Sequence, residues 1–354
     1  MGFGLRRKPF ITILLVLLFL IGGELLLQIR AHIRYGQSVF NAVKGETTYV
    51  THPESGLKTL RPSSIIEGQQ AVIESNSLGL RMPELPLSKP DDEVWIAVLG
   101  ASTVMGAYTR SNERTLSARL EFYLQQESKE RRVRVINAGI AGYVLKNQQK
   151  MLTYLLSKYP LDGVISYSGF NDIAGYCKSA EGDNQQKKNH ALINIDAPKW
   201  LLTVDLITKN TVKLRDVPAG KSIEIDPATI NTSVYEKSSK ELYGQIARQV
   251  PHSLVGLNAR SFRAHMPASQ QASLSQTARY YLPCFSVSGL HQVYDTHNEI
   301  LRATAANANI PVFDLMAHLP GGSEYFGDAT HFSDKGTDVV AQLISRQISH
   351  WIIK

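Results

Sequence analysis

Val94-Trp95-Ile96-Ala97-Val98-Leu99-Gly100-Ala101-Ser102-Thr103 is an unbroken apolar run that stops at a turn of small residues. A short, fully apolar run bounded in this way suits a strand buried on both faces, as in a parallel sheet. Downstream, the spacing predicts a helix beginning at Asn112, with Leu116, Leu120, Tyr123 and Leu124 on one side, closed by Ser128 and the charged stretch 129–132. Val133 to Ile136 is a second predicted strand, ending at Asn137-Ala138-Gly139. A helix over about 145–156 and a third strand, Gly163 to Tyr167, follow, ending at Ser168-Gly169-Phe170-Asn171-Asp172. This β-α-β-α-β order implies an α/β fold: a three-layer α/β/α sandwich around a central parallel sheet with right-handed crossovers and helices on both faces. Ligands of such sheets bind beyond the carboxyl ends of the strands. Three strand ends therefore deliver Ser102, Gly142 and Asn171 to one edge.

Further along, the polar segment at about 177–285 reads as an insertion or lid, helical over about 236–250. The fold pattern resumes with a helix over about 288–309, a strand from Ile310 to Leu315 and an amphipathic helix over about 335–352. Ser333 or Asp334 suits the N-cap of that last helix. Residues 30–92, before the first buried strand, are turn-rich, with β-prone Thr47 to Val50 among them.

The amino terminus carries a targeting signal. Arg6, Arg7 and Lys8 precede a mostly apolar stretch from Pro9 to Ile29, interrupted by Glu24 near one end. About 20 such residues span a bilayer. No small-residue cleavage pattern follows, so the expectation is an uncleaved signal anchor. The basic cluster sets residues 1–8 in the cytoplasm and the bulk of the chain outside it, although Arg30 and Arg34 on the far side weaken the asymmetry. The expected organisation is a tail (1–8), a transmembrane anchor (9–29), an extracytoplasmic segment (30–92) and a catalytic domain (93–354).

The 354 residues are 43% hydrophobic and 19% charged, enough for a sizeable core. The net charge of +7 is spread along the chain without an aromatic-interleaved basic stripe, which argues against nucleic acid. Cys177 and Cys284 have no metal-binding spacing. An oxidising compartment would allow them to pair, and two separate buried thiols is an equal alternative.

Four short segments carry chemistry. Taken singly, each has a plain structural reading. Ser102 suits a helix cap, His331 in Asp328-Ala329-Thr330-His331 suits a loop, and Gly142 and Asn171 suit turns. Their joint order is more specific. Leu99-Gly100-Ala101-Ser102-Thr103 resembles the nucleophile block of SGNH (GDSL-type) hydrolases, Ile140-Ala141-Gly142-Tyr143 the glycine block, Gly169-Phe170-Asn171-Asp172 the G-x-N-D block and Asp328-Ala329-Thr330-His331 the D-x-x-H block. Asn76-Ser77-Leu78-Gly79-Leu80-Arg81 resembles the lead-in of anchored bacterial members. The resemblance covers about 70–175 and 288–354. Ala101 stands where the name-giving block has Asp.

The resemblance implies Ser102 as nucleophile, His331 as general base and Asp328 as the acid that orients it. It also implies an oxyanion hole of the Ser102 and Gly142 backbone N–H groups with the Asn171 amide, and no metal or cofactor. The expected activity is removal of an acyl group, acetyl first, from an extracytoplasmic ester, with an acylated glycan as the expected substrate. Two alternatives are an O-acetyltransferase acting on an exported polysaccharide, fed by a membrane-bound acyl donor, and a binding or assembly protein that has lost catalysis. The expected location is a single-pass inner-membrane protein with its catalytic domain in the periplasm.

Overall fold

The computed structural model describes residues 7–35, 48–67, 71–128, 130–185, 202 and 224–352. The chain divides into two compact units. The smaller contains α1, Arg7–Tyr35, one helix of 29 residues. Leu14 to Ile21, Leu25, Leu26 and Ile29 on it are exposed apolar side chains. The side chains of 7–10, 13 and 31–35 lie outside the described set. Among the described residues, no helix is long and apolar enough to cross a membrane.

The larger unit comprises residues 49–66, 71–183 and 222–354. It opens with β1, Tyr49–Thr51, and β2, Lys58–Leu60, an antiparallel pair, then β3, Ile65–Glu67, and β4, Val72–Glu74, which form a second two-stranded sheet. The central sheet begins with β5, Glu93–Gly100, all eight residues of which are buried. After it come α2, Ser102–Met105, α3, Leu116–Glu127, β6, Arg132–Gly139, α4, Leu145–Lys158, β7, Gly163–Tyr167, and α5, Phe170–Gln185. Then follow α6, Ser233–Gln249, β8, His252–Gly256, α7, Ala268–Leu274, α8, Gln276–Tyr281, α9, Val287–Asn307, β9, Val312–Phe313, α10, Leu315–His318, and α11, Asp334–Ile348.

Five strands lie in the order β6-β5-β7-β8-β9, and every pairing is parallel. Alternation along β5 fixes the layers. Trp95, Ala97 and Leu99 face one core with Leu152 and Leu155 of α4, Leu242 and Ile246 of α6 and Leu301 of α9. Val94, Ile96 and Val98 face the other, with Leu116, Leu120 and Leu124 of α3 and Val340, Ile344 and Ile348 of α11. Side chains two apart point the same way on a strand, so the one apolar run Val94 to Leu99 serves two cores at once.

Two expectations about elements need correction. Residues 177–285 are not wholly an insertion: α6 and β8 inside that range supply a helix of one layer and the fourth strand of the sheet. His252-Ser253-Leu254-Val255-Gly256 holds only two large apolar residues and begins in polar ones, so no buried-strand pattern shows. Residues 186–201 and 203–223 of the segment lie outside the described residues. The predicted strand from Ile310 to Leu315 shrinks to Val312–Phe313, after a proline that has no N–H for the ladder. Helix boundaries moved little. Asn112 opens a 3-10 turn, and α3 starts at Leu116, where the Thr115 hydroxyl accepts from the Ala118 N–H. Ser333 caps α11 by accepting from the Gly336 N–H at 3.1 Å.

The turn-rich lead-in packs into the same core: Leu60, Leu80, Met82 and Leu85 are buried with Ile140 and Tyr143. Arg81 is 1% exposed. Its guanidinium donates to the carbonyls of Gly106 (2.5 Å), Val72 (3.1 Å) and Thr109 (3.2 Å) and to Asn112 Oδ1 (3.0 Å). Burial lowers its pKa to about 10, so it stays charged near neutrality. It thereby fastens the loop that leaves α2.

Cys177 of α5 and Cys284, before α9, are bonded to each other across 107 residues of sequence, which decides between the two open alternatives. Closing a loop of that size restricts the unfolded chain. Cys177→Ser is expected to lower unfolding free energy by about 2–5 kcal/mol, read as a lower melting temperature that matches reduced wild type. Equal melting of oxidised and reduced wild type would contradict this.

Candidate active site

In-register pairing puts Gly139, Gly100, Tyr167, Gly256 and Phe313 in one row across the sheet. The chain leaves the sheet just past this row in each case. Ala101-Ser102 follows β5, Ala141-Gly142 follows β6, Gly169 to Asn171 follow β7 and Asn258 follows β8. The strand order reverses about β5, because β6 lies on one side and β7 on the other. A crevice at such a switch point is the expected ligand site of an open α/β sheet.

Ser102 begins α2 at this edge. Its Oγ lies 2.7 Å from His331 Nε2. On the far side of the ring, Nδ1 lies 2.8 Å from Asp328 Oδ2. The other Asp328 oxygen accepts from the backbone N–H groups of Thr330 (2.9 Å) and His331 (2.8 Å). Burial pushes the Asp328 carboxyl up, but hydrogen bonding and charge from the His331 ring and the two amides outweigh it. The net pKa lies below the ordinary carboxylate value. An ionised Asp328 fixes the imidazole as an Nδ1–H donor, which leaves Nε2 free to accept the Ser102 proton.

Asn171 and Ser102 line one narrow cleft, along with Gly169, Phe170, Asn258 and Thr330. Asn171 Nδ2 donates to the Tyr143 carbonyl at 2.9 Å, tying the start of α5 to the loop after β6. An amide nitrogen carries two hydrogens, so this bond leaves one. Gly142 is in the left-handed region, φ +85°, and its nearest neighbour in the direction of a Cβ is Lys58 Nζ. It is not among the residues lining the Ser102 cleft. The structure therefore brings Ser102, His331 and Asp328 into one hydrogen-bonded chain with Asn171 beside it, and sets Gly142 on the adjoining loop.

Two residues near the site carried no sequence signal. The Asn258 side chain donates to the Ser168 carbonyl, and its backbone is held by Asn298, which accepts from the Asn258 N–H at 2.9 Å and donates to its carbonyl at 3.0 Å. Asn258 follows the strand that the sequence hid, so nothing pointed to it. Tyr108 stacks on His331, ring centroids 5.1 Å apart at 23°; it lies in the loop after α2, where no regular pattern places it.

Asp172, the residue after Asn171, lies in the first turn of α5. Burial raises its pKa to about 7, against which the Leu145 N–H (3.4 Å) works. An acid with a raised folded-state pKa binds its proton more tightly when folded. Its ionisation therefore costs stability progressively from the ordinary value of 3.8 up to about 7, and fully above that. Asp172→Asn is expected to raise the melting temperature by roughly 2–6 °C at pH 8, with the gap closing by pH 4. A gap independent of pH would show that this ionisation does not matter.

A larger hollow of about 720 Å³ lies between α6 and α9, lined by Glu236, Gln292, Asp295 and Glu299 among others. It contains no nucleophile paired with a base, so size does not identify the reactive site.

No family model and no curated protein sequence matches the chain. Several solved structures are similar in shape. One is a lipase/acylhydrolase from Enterococcus faecalis, 17% identical with a TM-score of 0.42, covering 73% of this chain and 96% of that one. Another is a carbohydrate acetylesterase from Sinorhizobium meliloti, 14% identical, TM-score 0.42, covering 73% and 99%. A third is an acetylxylan esterase from Geobacillus stearothermophilus, 12% identical, TM-score 0.42, covering 75% and 96%. At this level of likeness, none of them decides the activity of this chain; the residues of the site do.

Proposed function

We propose that this chain is a serine-dependent esterase that removes an acyl group, acetyl first, from a glycan outside the cytoplasmic membrane. The observation that carries the reading is the chain Ser102 Oγ, His331 Nε2, His331 Nδ1, Asp328 Oδ2, with links of 2.7 and 2.8 Å. Such a relay serves acyl transfer. Ser102 Oγ bonds to the ester carbonyl carbon while its proton passes to His331 Nε2. The carbonyl electrons move onto oxygen, where the Ser102 and Gly142 N–H groups and the second Asn171 amide hydrogen stabilise them. The bond to the leaving alcohol then breaks, and His331 returns the proton to it. Water repeats the sequence on the acyl-serine and releases the acid.

Aromatic side chains beside the cleft support a glycan substrate. Phe170 lines it, and Tyr281 meets Phe170 edge-on with ring centroids 6.4 Å apart. Tyr281 is exposed. Exposed rings of this kind suit the C–H faces of a sugar, with hydroxyls at the rim. The disulfide supports an oxidising compartment. In the sequence alone, the mostly apolar stretch 9–29 after Arg6, Arg7 and Lys8 supports an uncleaved membrane anchor with the rest of the chain on the periplasmic side, although α1 as described is not long and apolar enough to span a bilayer.

The test is mass analysis of an acetylated oligosaccharide incubated with the full chain in detergent, with and without an unacetylated sugar acceptor. Free acetate at the same rate with or without acceptor is expected. Acetyl appearing on the acceptor would make the chain a transferase, and no acetyl loss from any ester would leave a binding protein.

A further inference from the structure

We infer that Tyr108 is a positioning residue for the general base, stabilising the His331 ring in the charged form that it takes during acyl transfer. The inference rests on the reading of Ser102 and His331 as nucleophile and base. Tyr108 sits in the loop after α2, which the buried Arg81 holds through the Gly106 and Thr109 carbonyls on either side of it. Its ring lies nearly parallel to the His331 imidazole at 5.1 Å. From below it is backed by Gly327: a Cβ there would fall 2.3 Å from Tyr108 Cδ1, so only glycine lets the ring lie against this backbone. Partial burial, and after it the neighbouring Asp328 carboxylate, raise the phenol's pKa to about 12, so it stays neutral.

This arrangement has a chemical consequence. Ser102 and Asp328 occupy the two nitrogens in the plane of the imidazole, and Tyr108 covers a face. When Nε2 takes the serine proton, the ring becomes a cation. An aromatic face within about 6 Å of a cation attracts it by roughly 0.5–2 kcal/mol. The neutral imidazole of the resting enzyme gains little from the same contact. The interaction is thus stronger in the transition state than in the ground state, which is the condition for raising kcat. The stack also keeps the ring from rotating out of line with Ser102.

The test uses the full chain with p-nitrophenyl acetate, measuring kcat and KM separately. Tyr108→Leu, which keeps bulk but no π face, is expected to lose kcat on the order of 10-fold with KM unchanged. Tyr108→Phe, which keeps the face but loses the phenol's hydrogen bond to Asp328, is expected to retain clearly more kcat than Tyr108→Leu. Gly327→Ala, which pushes the ring off its seat while keeping Tyr108, is expected to reproduce the Leu loss, and it replaces the Leu variant should that one fail to fold. An unchanged kcat in both Leu and Gly327→Ala variants overturns the inference, as does a change confined to KM, which would mark Tyr108 as a substrate contact. So does a Phe variant as slow as Leu, since the face is then not what matters. Wild type with no Ser102-dependent turnover would instead sink the esterase reading itself.

Discussion

Alanine at Ser102, or at His331, is expected to cut turnover of p-nitrophenyl acetate by roughly 10⁶ in folded protein. The magnitude follows from how the two side chains act. Ser102 Oγ and His331 Nε2 are already 2.7 Å apart, so attack and proton transfer form one event. Without His331 the hydroxyl has no acceptor for its proton at neutral pH; without Ser102 the imidazole has nothing to deprotonate. The double variant is therefore expected to be no slower than either single one, since both remove the same step. Steady-state rates at matched protein concentration check this. Additive losses in the double variant would mean that the two residues act separately.

Asp328→Asn is expected to lower kcat by about 10⁴ while leaving the melting temperature close to that of wild type. Two backbone N–H groups donate to one oxygen of the carboxylate, and His331 Nδ1 donates to the other. Asparagine can keep the backbone bonds through its carbonyl oxygen. Its NH2 then faces Nδ1 and donates to it, which moves the ring proton to Nε2. That nitrogen now confronts Ser102 as a donor and cannot take its proton. The loss is one of tautomer, not of geometry, so circular dichroism and melting are expected to be near wild type while turnover collapses. A large fall in stability alongside activity would assign Asp328 a mainly structural role.

Much of this fold is legible in the residues. Eight consecutive buried positions in β5, and apolar spacing of 3.6 in α3 and α11, leave few alternatives to a layered α/β sheet. The order of strand ends predicts that Ser102, Gly142 and Asn171 share an edge, and Ser102 and Asn171 line one cleft there with Gly142 on the adjoining loop; His331 and Asp328, which only the resemblance pointed to, are in hydrogen-bonded line with Ser102. What escaped is what depends on long-range packing. Strand β8 is hidden because its burial comes from β7 and β9 on either side rather than from its own short apolar content. With it went Asn258. Arg81 reads as a surface residue by type; only the carbonyls converging on it make a buried cation tolerable. Tyr108 reads as one loop aromatic among fifteen tyrosines, and only its stack on His331 distinguishes it. Pairing of Cys177 with Cys284 likewise needed α5 and the chain before α9 to be brought together in space.

The most direct test of the central claim, that Ser102 is an activated nucleophile, is covalent capture with a fluorophosphonate followed by peptide mass spectrometry. The phosphonyl group forms a bond to a serine oxygen as fluoride leaves, and only a hydroxyl with a base beside it reacts quickly. The account predicts one adduct per chain, on the peptide containing Ser102, lost in Ser102→Ala and formed far more slowly in His331→Ala. No adduct on folded wild type, or an adduct of equal yield in the Ser102→Ala chain, would contradict it.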